Sequence, residues 1–450
     1  MVGLIAGGSG LVGSELGKKL AAKGHTLFVL TRSKEKAEMS CPYPMTPVTW
    51  DELDSHPDLK NLDYVVNLVG TSINDKRWSS SFKKIIYSSR VDRTRQLAQW
   101  ANKSCKNLKC FISTSAIGIY GDTDGEWVPE DHSLSYGFLG QLCQDWEQAA
   151  HEVQDTRLAI LRVGVVFSEK GSALSEMVPP IQMGVGGPIA GGQQWMSWID
   201  VDDLADMFVF AIEKPIKGVY NAVAPEPATN KVITQTIASR LGKSAFLPVP
   251  YFALRAILGP MAKHIIENQK LSSQKIQDEG FQFTYPNVES SIKKRVPQLK
   301  GMQRRLIFEQ WVPSKKEEVF PFFAEAKNLE QIPPPSLNFH ILDSSTEKIQ
   351  LNTIFNYKLK IDGIPVRWRT LIKAWDPPHF FADNQEKGPY RKWYHEHYFK
   401  DLAGGTLMTD QVDLEIPLGW LGYGAASWKV LRDVKNIFRY RREVIHKKYN

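Results

Sequence analysis

The first half of the chain alternates short apolar runs with longer segments of helical periodicity. Each run is rich in Val, Ile or Leu and is followed by a helix-length segment, the pattern of a parallel sheet covered by helices. This pattern predicts a doubly wound α/β domain over residues 1–228. The predicted strands are Gly3–Ala6, Leu27–Leu30, Tyr64–Leu68, Lys109–Ser113, Leu158–Val163 and Val219–Ala222.

The pattern changes twice in the rest of the chain. Residues 229–300 keep a helical periodicity but contain interrupting prolines, which predicts a small helical subdomain that closes over the first domain. Residues 303–450 hold 23 of the 49 aromatic residues and alternate apolar with polar positions at a period of two. That alternation predicts an α+β domain with a curved antiparallel sheet. The interrupting prolines are Pro248, Pro250, Pro260 and Pro286.

Two hairpins are predicted within this last domain. Asp362-Gly363 is a turn signal, and Val366–Trp375 supplies the strand that follows it. Lys392–Phe399 and Thr406–Ile416 form a second pair around Gly404-Gly405. The apolar positions before the first turn are Ile349, Leu351, Phe355, Tyr357, Leu359 and Ile361.

Two helices frame this predicted sheet. A capping-box pattern from Ser314 to Glu317 indicates the first. Residues 421–450 form the second, and their eight Lys or Arg and two Asp or Glu account for six of the seven net positive charges. We interpret the basic residues as a solvated helix face and expect no nucleic-acid partner; contact with an anionic membrane or nucleic acid is the alternative. The apolar positions of this helix are Leu431, Val434, Phe438 and Ile445.

The composition is that of an ordinary globular protein. Hydrophobic residues make up 42% and charged residues 23% of the chain, and no apolar run approaches the roughly 18 residues of a membrane-spanning helix. The four cysteines form no CxxC pair, which argues against a disulfide scaffold or zinc ribbon and for reduced thiols. Because the N-terminus also lacks the features of a signal peptide, we expect a cytoplasmic protein.

The residues between the first predicted strand and the first helix point to a dinucleotide. Glycines at positions 7, 10 and 13 let the backbone approach a pyrophosphate at the helix N-terminus. The alternative is a purely structural turn. The predicted binding loop consists of Gly7, Gly8, Ser9, Gly10, Leu11, Val12 and Gly13.

The end of the second predicted strand distinguishes between the two nicotinamide dinucleotides. NAD sites usually carry an acidic residue here for the ribose hydroxyls, and this sequence has none. It reads Thr31-Arg32-Ser33-Lys34 instead, and Arg32, helped by Ser33 and Lys34, suits a 2′-phosphate. We therefore predict NADP(H); the alternative is that Arg32 is a solvated surface residue.

Several further motifs carry a family resemblance: Asn67-Leu68-Val69-Gly70, Lys76-Arg77-Trp78, Ser89-Arg90-Val91 with Thr94, Tyr120-Gly121, Phe138-Leu139, Trp146-Glu147 and residues 191–203. With the glycine loop, they resemble the extended short-chain dehydrogenase/reductases of the NAD-dependent epimerase/dehydratase superfamily, and more narrowly their atypical epimerase-like branch, over about residues 1–295. The resemblance implies a Rossmann domain, a nicotinamide cofactor, a small-molecule substrate and a substrate subdomain formed by the helical segment of residues 229–300. It also implies cofactor contacts from Leu68, Val69, Gly70, Arg90 and Ser113.

The resemblance exposes a departure at the catalytic pair. The family exchanges a proton through a YxxxK tyrosine and lysine on one helix, where the lysine lowers the tyrosine pKa. Counted back from Glu147, Leu139 and Cys143 stand at those two positions, and neither side chain can do that chemistry. Arg90 stands where the family has a helix asparagine, and Ser115 is the serine that remains.

Two hypotheses follow from this departure. In the first, the domain is an oxidoreductase or epimerase-like enzyme that transfers hydride and exchanges the proton through Ser115, Arg90, Tyr120 or Cys143. In the second, the cofactor is bound but not consumed. The protein is then an NADPH-dependent sensor or scaffold, a role that the names of some relatives connect with cell division.

The substrate region is expected around two motifs. The glycine-rich segment Pro179–Gly192 is interpreted as a mobile lid, with a surface loop packed by its own tryptophans as the alternative. Asp202-Asp203 is expected to cap a helix N-terminus rather than to bind a metal. The predicted substrate contacts are Arg77, Trp78, Gln193, Trp195 and Trp198.

The last domain, over residues 303–450, resembles the START-like (SRPBCC) helix-grip superfamily in the order of its elements. That resemblance implies an apolar ligand pocket between sheet and helix; the alternative is that the aromatic residues fill a core. His395 and His397 share a strand face, but no third ligand stands at a convincing spacing, so no metal is predicted. The aromatic set is Phe320, Phe322, Phe323, Phe355, Tyr357, Trp368 and Trp393.

Overall fold

In a computed structural model of the chain, residues 1–299, 301–417 and 419–449 are described, and side chains are described at all of these except residues 419–426. None of the described helices is long and apolar enough to cross a membrane. Short 3-10 helices lie at Trp50–Glu52, Pro57–Asn61, Ile117–Ile119, Gly259–Met261 and Pro335–Leu337.

The chain folds into two compact units. The first comprises Met1–Ala37 and Met45–Gln298, and the second comprises Glu38–Pro44 and Leu299–Asn450. The strands of the first unit are β1 (Val2–Ala6), β2 (Thr26–Thr31), β3 (Thr46–Thr49), β4 (Tyr64–Asn67), β5 (Cys110–Ala116), β6 (Trp127–Val128), β7 (Arg157–Val163), β8 (Val165–Phe167), β9 (Trp195–Met196), β10 (Trp198–Asp200), β11 (Gly218–Ala222), β12 (Ala228–Thr229) and β13 (Lys270–Leu271). Its helices are α1 (Leu11–Ala22), α2 (Lys34–Ser40, of which residues 38–40 are counted with the second unit), α3 (Ser80–Ser88), α4 (Val91–Ser104), α5 (Phe138–Ala150), α6 (Ala173–Gln182), α7 (Val201–Glu213), α8 (Asn230–Arg240), α9 (Tyr251–Leu258), α10 (Ala262–Ile265), α11 (Gln274–Asp278) and α12 (Val288–Arg295).

A parallel sheet forms the centre of the first unit. Its seven strands run in the order β11-β7-β5-β4-β1-β2-β3, and every neighbouring pair is parallel. The chain moves outward from β1 to β3 and then returns to the other side of β1 with β4, so the strand order reverses between β1 and β4. Open α/β sheets bind ligands at the carboxyl ends of strands beside such a reversal. The predicted doubly wound fold is confirmed.

The six predicted strands of this sheet are present, with ends that shift by at most three residues. Strands such as β4 and β7 are buried along nearly their whole length because helices cover both faces of the sheet. The edge strand β3 was not predicted, since it contains Pro47 and its one buried residue is Val48. Proline is tolerated at a sheet edge, where its missing N–H leaves no ladder bond unmade.

The residues after β12 pack into the same compact unit. Helices α8 and α12 contribute Ile233, Ile237, Val288 and Ile292 to a buried cluster that also contains Trp198. The helical region that follows residue 229 therefore shares a core with the residues around β10.

The second unit is built on an antiparallel sheet. Its strands are β14 (Arg304–Val312), β15 (His340–Ser344), β16 (Ile354–Ile361), β17 (Ile364–Asp376), β18 (Phe380–Lys387), β19 (Lys392–Leu402) and β20 (Gly405–Glu415), and its helices are α13 (Lys316–Ala324), α14 (Ala326–Leu329) and α15 (Gly419–Tyr449). The sheet order is β14-β20-β19-β18-β17-β16-β15, with antiparallel neighbours throughout. The predicted antiparallel sheet is confirmed.

Both predicted hairpins form, with corrections to their details. Asp362 and Gly363 have φ values of 51° and 81° and join β16 to β17, as a tight turn with two left-handed residues requires. The second turn consists of Ala403 and Gly404 rather than Gly404 and Gly405, because Gly405 already pairs with Leu402.

Two local expectations are wrong. The capping box from Ser314 to Glu317 does not form, because α13 begins at Lys316 after an N-cap residue, Lys315, that makes no side-chain capping hydrogen bond. Ile349 and Leu351 lie before β16 rather than in it, since that strand begins at Ile354.

The terminal helix α15 packs on the sheet as predicted. Val434 and Phe438 join a buried cluster with Val412 and Leu414 of β20, and the Phe438 ring stacks on Phe308 with centroids 4.1 Å apart. Ile445 joins the phenylalanine cluster around α13. The sheet and this helix thus enclose the core of the second unit.

Candidate functional site

The glycine loop forms the turn between β1 and α1. Gly7 has a φ of 89°, and a methyl group on it would lie 2.7 Å from the carbonyl oxygen of Leu68. A methyl group on Gly13 would lie 2.5 Å from the carbonyl oxygen of Gly7, so Gly13 allows α1 to pack closely on the loop. The Gly10 N–H donates to the Gly7 carbonyl at 3.0 Å. The loop is therefore the tight turn that a dinucleotide-binding βαβ unit requires.

The N-terminus of α1 is suited to an anion. Its N-cap residue is Gly10, no side chain caps the helix, and its first turn contains no acidic residue. Ser9 and Gly10 are exposed, whereas Leu11 and Val12 are half-buried and Gly8 is buried. Backbone N–H groups and the helix dipole at such an end stabilise phosphate groups, so this end fits a pyrophosphate.

The residues that directly follow β4 border this loop. Leu68 and Val69, directly after β4, are half-buried, and Gly70 is exposed. The Leu68 N–H donates to the carbonyl of Ala6 at 2.8 Å, which holds this segment beside the end of β1. The glycine loop and the residues after β4 therefore lie side by side at the carboxyl ends of β1 and β4.

Ser113 differs from the other predicted cofactor contacts because its side chain is used within the fold. The Asn67 amide donates to Ser113 Oγ at 3.0 Å and to Thr94 Oγ1 at 2.8 Å. The Trp146 indole N–H donates to the same Thr94 oxygen at 2.9 Å. These buried bonds join β4, α4, β5 and α5, so the Ser113 hydroxyl stabilises the floor of the site.

The end of β2 carries one free cation. Arg32 is exposed and makes no ion pair with any residue that the structure describes. Lys34 pairs with Glu52 at 2.5 Å, and the Ser33 hydroxyl accepts from the Lys36 N–H at the start of α2. Thr31 Oγ1 donates to the Ser33 carbonyl. Of the three residues predicted to contact a 2′-phosphate, Arg32 is therefore the one whose charge is available.

Ser115 is the least satisfied polar group in this region. Its side chain lies at the carboxyl end of β5 and is 2% exposed, and its Oγ has no hydrogen-bond partner among the described residues. A buried hydroxyl without a partner costs about 1–3 kcal/mol, a cost that a bound oxygen atom would relieve. The position is that of the one serine expected to survive from the family's catalytic group.

Cys143 lies close to this serine in the fold, and Arg90 interacts with the Cys143 thiol. Burial, with Glu147 nearby, raises the pKa of the Cys143 thiol to about 12, so the thiol is protonated at neutral pH. The thiol also interacts with the backbone of Ala116, the residue after Ser115. The Arg90 guanidinium donates from Nη1 to the Thr71 carbonyl at 2.9 Å, and burial lowers its pKa.

Tyr120 belongs to a saturated buried network. Its hydroxyl donates to Asn221 Oδ1 at 2.8 Å and accepts from Arg162 Nη1 at 2.6 Å. Arg162 also holds the Glu147 carboxylate with two bonds of 2.8 and 2.9 Å and donates to the Glu130 carbonyl. Burial raises the pKa of Tyr120 to about 12.

This network corrects the expectation for Tyr120, because its proton is directed at Asn221 and its hydroxyl serves the fold. Sequence reasoning missed Arg162 altogether. The available signal was an arginine that follows the apolar run Leu158–Leu161 within β7, since a charge at such a place needs a partner.

The predicted substrate residues divide into two groups. Trp78 and Trp198 are core residues, which corrects their expected role: Trp78 donates to the Ile73 carbonyl at 3.0 Å, and Trp198 is fully buried and stacked on Phe167. The other group remains accessible. Arg77 and Gln193 are exposed, and Trp195 is half-buried with Lys270 Nζ 4.4 Å from its ring centre.

The predicted lid and helix cap also change. Hydrogen bonds of 3.0 and 2.9 Å pair Ala190 and Pro188 with Val249, so the segment Pro179–Gly192 is tied to the fold near its end. Asp200 caps α7 by accepting from the Asp202 N–H. The expected capping residues have other partners.

The partners of those two aspartates are within the first unit. Asp202 pairs with Arg295 at 2.6 Å. Asp203 accepts from the N–H groups of Thr284 and Tyr285 at 2.8 and 2.9 Å. Asp202 therefore connects the start of α7 to α12, and Asp203 connects it to the segment just before α12.

Comparison with known proteins agrees with this geometry. Residues 3–222 match the model of the NAD dependent epimerase/dehydratase family, and residues 249–294 match a domain of unknown function, DUF1731. Epimerase family protein SDR39U1 homolog, chloroplastic, from Arabidopsis thaliana is 36% identical over 295 residues, which cover 64% of this chain and 85% of that protein. The chain belongs to the NAD dependent epimerase/dehydratase family.

A human relative and two solved structures match a similar share of this chain. Human epimerase family protein SDR39U1 is 33% identical over 299 residues, covering 65% of this chain and 99% of that protein. A crystal structure titled human SDR39U1 (isoform2) with NADPH superimposes with a TM-score of 0.61 at 33% identity and covers 65% of this chain and 98% of that chain. A structure titled nucleoside-diphosphate sugar epimerase from Corynebacterium glutamicum has a TM-score of 0.53 at 29% identity, over 67% of this chain and 59% of that chain.

Proposed function

We propose that the first unit binds NADPH and acts as an oxidoreductase on a small metabolite. The glycine loop and the uncapped α1 supply the pyrophosphate site, and the free Arg32 beside them supports a 2′-phosphate. The human relative named with NADPH, 33% identical, supports the same cofactor. NADPH, when bound, supplies the hydride.

The proposal that the site turns over a substrate rests on one observation. The buried Ser115 hydroxyl has no hydrogen-bond partner among the described residues. We propose that this hydroxyl donates to the carbonyl oxygen of the substrate and so fixes its orientation. Arg90, whose Nε and Nη2 make no hydrogen bond within the described part of the chain, stabilises negative charge that develops on that oxygen. Cys143 remains a neutral thiol at the family's lysine position. In this proposal Ser115 and Arg90 therefore take the place of the family's tyrosine and lysine.

Substrate turnover tests this role of Ser115. Purified protein is incubated with NADPH and a panel of carbonyl compounds and nucleotide sugars, and loss of NADPH absorbance is followed. Ser115→Ala is expected to lower kcat by about 10²-fold, within the range found for loss of a positioned polar group, while the NADPH Kd stays the same. The control is Ser133→Ala, an exposed serine in the same unit. Equal rates for the wild type and Ser115→Ala would remove Ser115 from the mechanism.

The second candidate function is an NADPH-dependent sensor or scaffold. Leu139 and Cys143 at the catalytic positions favour it, because neither group exchanges a proton readily at neutral pH. A sensor binds NADPH without oxidising it and changes its hydrogen-exchange pattern on binding. Tight NADPH binding with no turnover over the whole panel would select this candidate.

We propose that the second unit is a START-like domain that binds an apolar ligand. Trp368 supports this, because its indole nitrogen is buried without a hydrogen-bond partner among the described residues. The rings of Tyr357, Tyr390 and Trp393 lie 5.5 to 5.8 Å from the Trp368 ring, which makes an apolar surface around that donor. Displacement of a fluorescent fatty acid, with Trp368→Phe as the variant, tests this assignment.

We also propose a cytoplasmic location for the protein. All four cysteines are free and buried, which supports a reducing compartment. Fractionation of cells that express the full chain with a C-terminal tag tests this location.

A further inference from the structure

Two histidines and two aspartates meet on neighbouring strands of the second unit. In the sheet, Asp383 of β18 stands opposite His395 of β19, and His397 of β19 stands opposite Asp410 of β20. Side chains at these positions share one face of the sheet because they alternate with period two. His395, His397 and Asp410 are 5–7% exposed, so the group is largely closed to water.

Each carboxylate contacts both imidazole rings. Asp383 Oδ2 lies 3.1 Å from His397 Nε2 and 3.5 Å from His395 Nδ1. Asp410 Oδ1 lies 3.1 Å from His395 Nε2 and 2.8 Å from His397 Nδ1. One nitrogen of each ring therefore faces Asp383, and the other nitrogen of each ring faces Asp410.

Arg441 of α15 distinguishes the two carboxylates. Its Nη2 lies 2.9 Å from Asp410 Oδ1 and 3.1 Å from His397 Nδ1. Asp410 thus has a cationic partner, whereas Asp383 has no lysine or arginine partner among the described residues. The negative charge of Asp383 is directed at the two rings alone.

The number of protons decides how these contacts can be satisfied. A neutral imidazole carries one N–H, so two neutral rings can supply only two of the four contacts to the carboxylates. Two protonated rings would supply all four, but their centres are 3.7 Å apart, where two positive charges repel strongly at low dielectric. If both rings donate their N–H groups to Asp410, the lone pairs of His395 Nδ1 and His397 Nε2 face Asp383 Oδ2. Three atoms with lone pairs then converge with no proton between them.

We propose that Asp383, His395 and His397 form a binding site for a divalent transition metal of the zinc class, through Oδ2, Nδ1 and Nε2 respectively. Ligands about 2.0–2.1 Å from a tetrahedral ion are about 3.3 Å from one another, which agrees with the 3.1 and 3.5 Å contacts of Asp383. Asp410, held by Arg441, accepts the other ring N–H groups and fixes both tautomers and orientations.

The proposed site departs from the expectation of no metal. The third ligand, Asp383, is separated from His395 along the chain by a turn, and only the register of β18 against β19 brings it close. Three protein ligands leave a fourth position for water or a small anion, as in catalytic zinc sites. The second unit would then hold a Lewis acid on its sheet, a property independent of the NADPH proposal for the first unit.

Calorimetric titration of the full chain with Zn²⁺ tests the site. Protein freed of metal with a chelator is expected to bind one equivalent of Zn²⁺. Asp383→Asn and His397→Gln should each weaken binding by about 10²-fold or more, and Asp410→Asn by about 10- to 100-fold, since it acts through the rings. The matched controls are Asp376→Asn and His379→Gln, both exposed and near the start of β18, which should bind like the wild type.

Cobalt provides a readout that a merely ion-paired core would not change. The wild type loaded with Co²⁺ should show the intense visible bands of a four-coordinate ion, and His397→Gln should lose them. Zn²⁺ should also raise the Tm of the wild type and slow hydrogen exchange in residues 380–402. That measurement needs no variant, so it decides the matter even if the substitutions fail to fold.

Three results would overturn the proposal. The first is the absence of stoichiometric Zn²⁺ binding by the metal-free wild type. The second is binding that Asp383→Asn and His397→Gln leave unchanged, which would place the ion elsewhere, for example at His264 and Glu267 in the first unit. The third is bound Zn²⁺ with no change in exchange within residues 380–402.

Discussion

The two units bury polar groups in opposite ways. In the first unit, Arg162, Glu147, Tyr120 and Asn221 form a network in which four hydrogen bonds of 2.6 to 2.9 Å join the side chains. In the second unit, the cluster of Asp383, His395, His397, Asp410 and Arg441 has more nitrogen-to-carboxylate contacts than neutral rings have protons. A saturated network stabilises one conformation, whereas an unsaturated one is completed by something that binds.

The first unit alone also contains both a saturated and an unsaturated buried hydroxyl. Tyr120 carries the residue type that family chemistry would use, yet its hydroxyl is fully engaged. Ser115 is the smaller and less conspicuous group, yet its hydroxyl has no hydrogen-bond partner among the described residues. Hydrogen-bond accounting therefore favours Ser115 over Tyr120 as a ligand contact, although both are buried.

The largest expected effect comes from breaking the saturated network. Arg162→Met removes a buried cation and leaves Glu147 without its partner, so the free energy of unfolding of the first unit should fall by about 3–5 kcal/mol. Urea denaturation monitored by tryptophan fluorescence measures this loss.

Ser115→Ala is the matched opposite of Arg162→Met. Its hydroxyl makes no hydrogen bond with the described residues, so removing it should leave the free energy of unfolding unchanged or raise it by up to about 1–3 kcal/mol, the cost of the buried unpaired hydroxyl. A large loss in Ser115→Ala, or a small one in Arg162→Met, would contradict the distinction between saturated and unsaturated groups.

The next largest effect is expected from Arg32, the unpaired cation at the end of β2 among the described residues. Arg32→Ala should weaken NADPH binding by about tenfold or more, because charge-assisted bonds to a phosphate contribute about 1.5–3 kcal/mol, and NADH binding should change little. Fluorescence titration with each dinucleotide measures the two Kd values. Lys34→Ala is the control, since Lys34 is already paired with Glu52. Equal losses for NADPH and NADH would refute the contact with the 2′-phosphate.

How far the sequence predicts this molecule depends on whether a feature is local. The strands of the parallel sheet and the hairpin at Asp362-Gly363 are encoded in short segments, and both were predicted. Asp383 was not predicted as a partner of His395 because their pairing depends on the register of two strands. The roles of Trp78 and Trp198 were wrong for a related reason: a motif states which residue is present but not whether the fold buries it.

The smallest expected effect comes from Asp203, a buried carboxylate. It lies between the saturated Arg162 network and the Ser115 hydroxyl, which has no partner among the described residues. It accepts two backbone N–H bonds, yet burial raises its pKa from the usual 3.8 to about 6. A carboxyl whose pKa is higher in the folded state binds its proton there first, so its stabilising contribution is present at low pH and is lost as pH rises through about 6.

Lowering the pH from 7 to 5 should therefore add about 1 kcal/mol to the stability of the first unit through Asp203, and Asp203→Asn should lack that part of the gain. Urea denaturation of both proteins at the two pH values measures the difference. Asp206→Asn, a nearby and more exposed carboxylate on α7, is the control. If Asp203→Asn kept the full wild-type pH dependence, the two backbone N–H bonds would outweigh burial, and Asp203 would belong with the saturated groups.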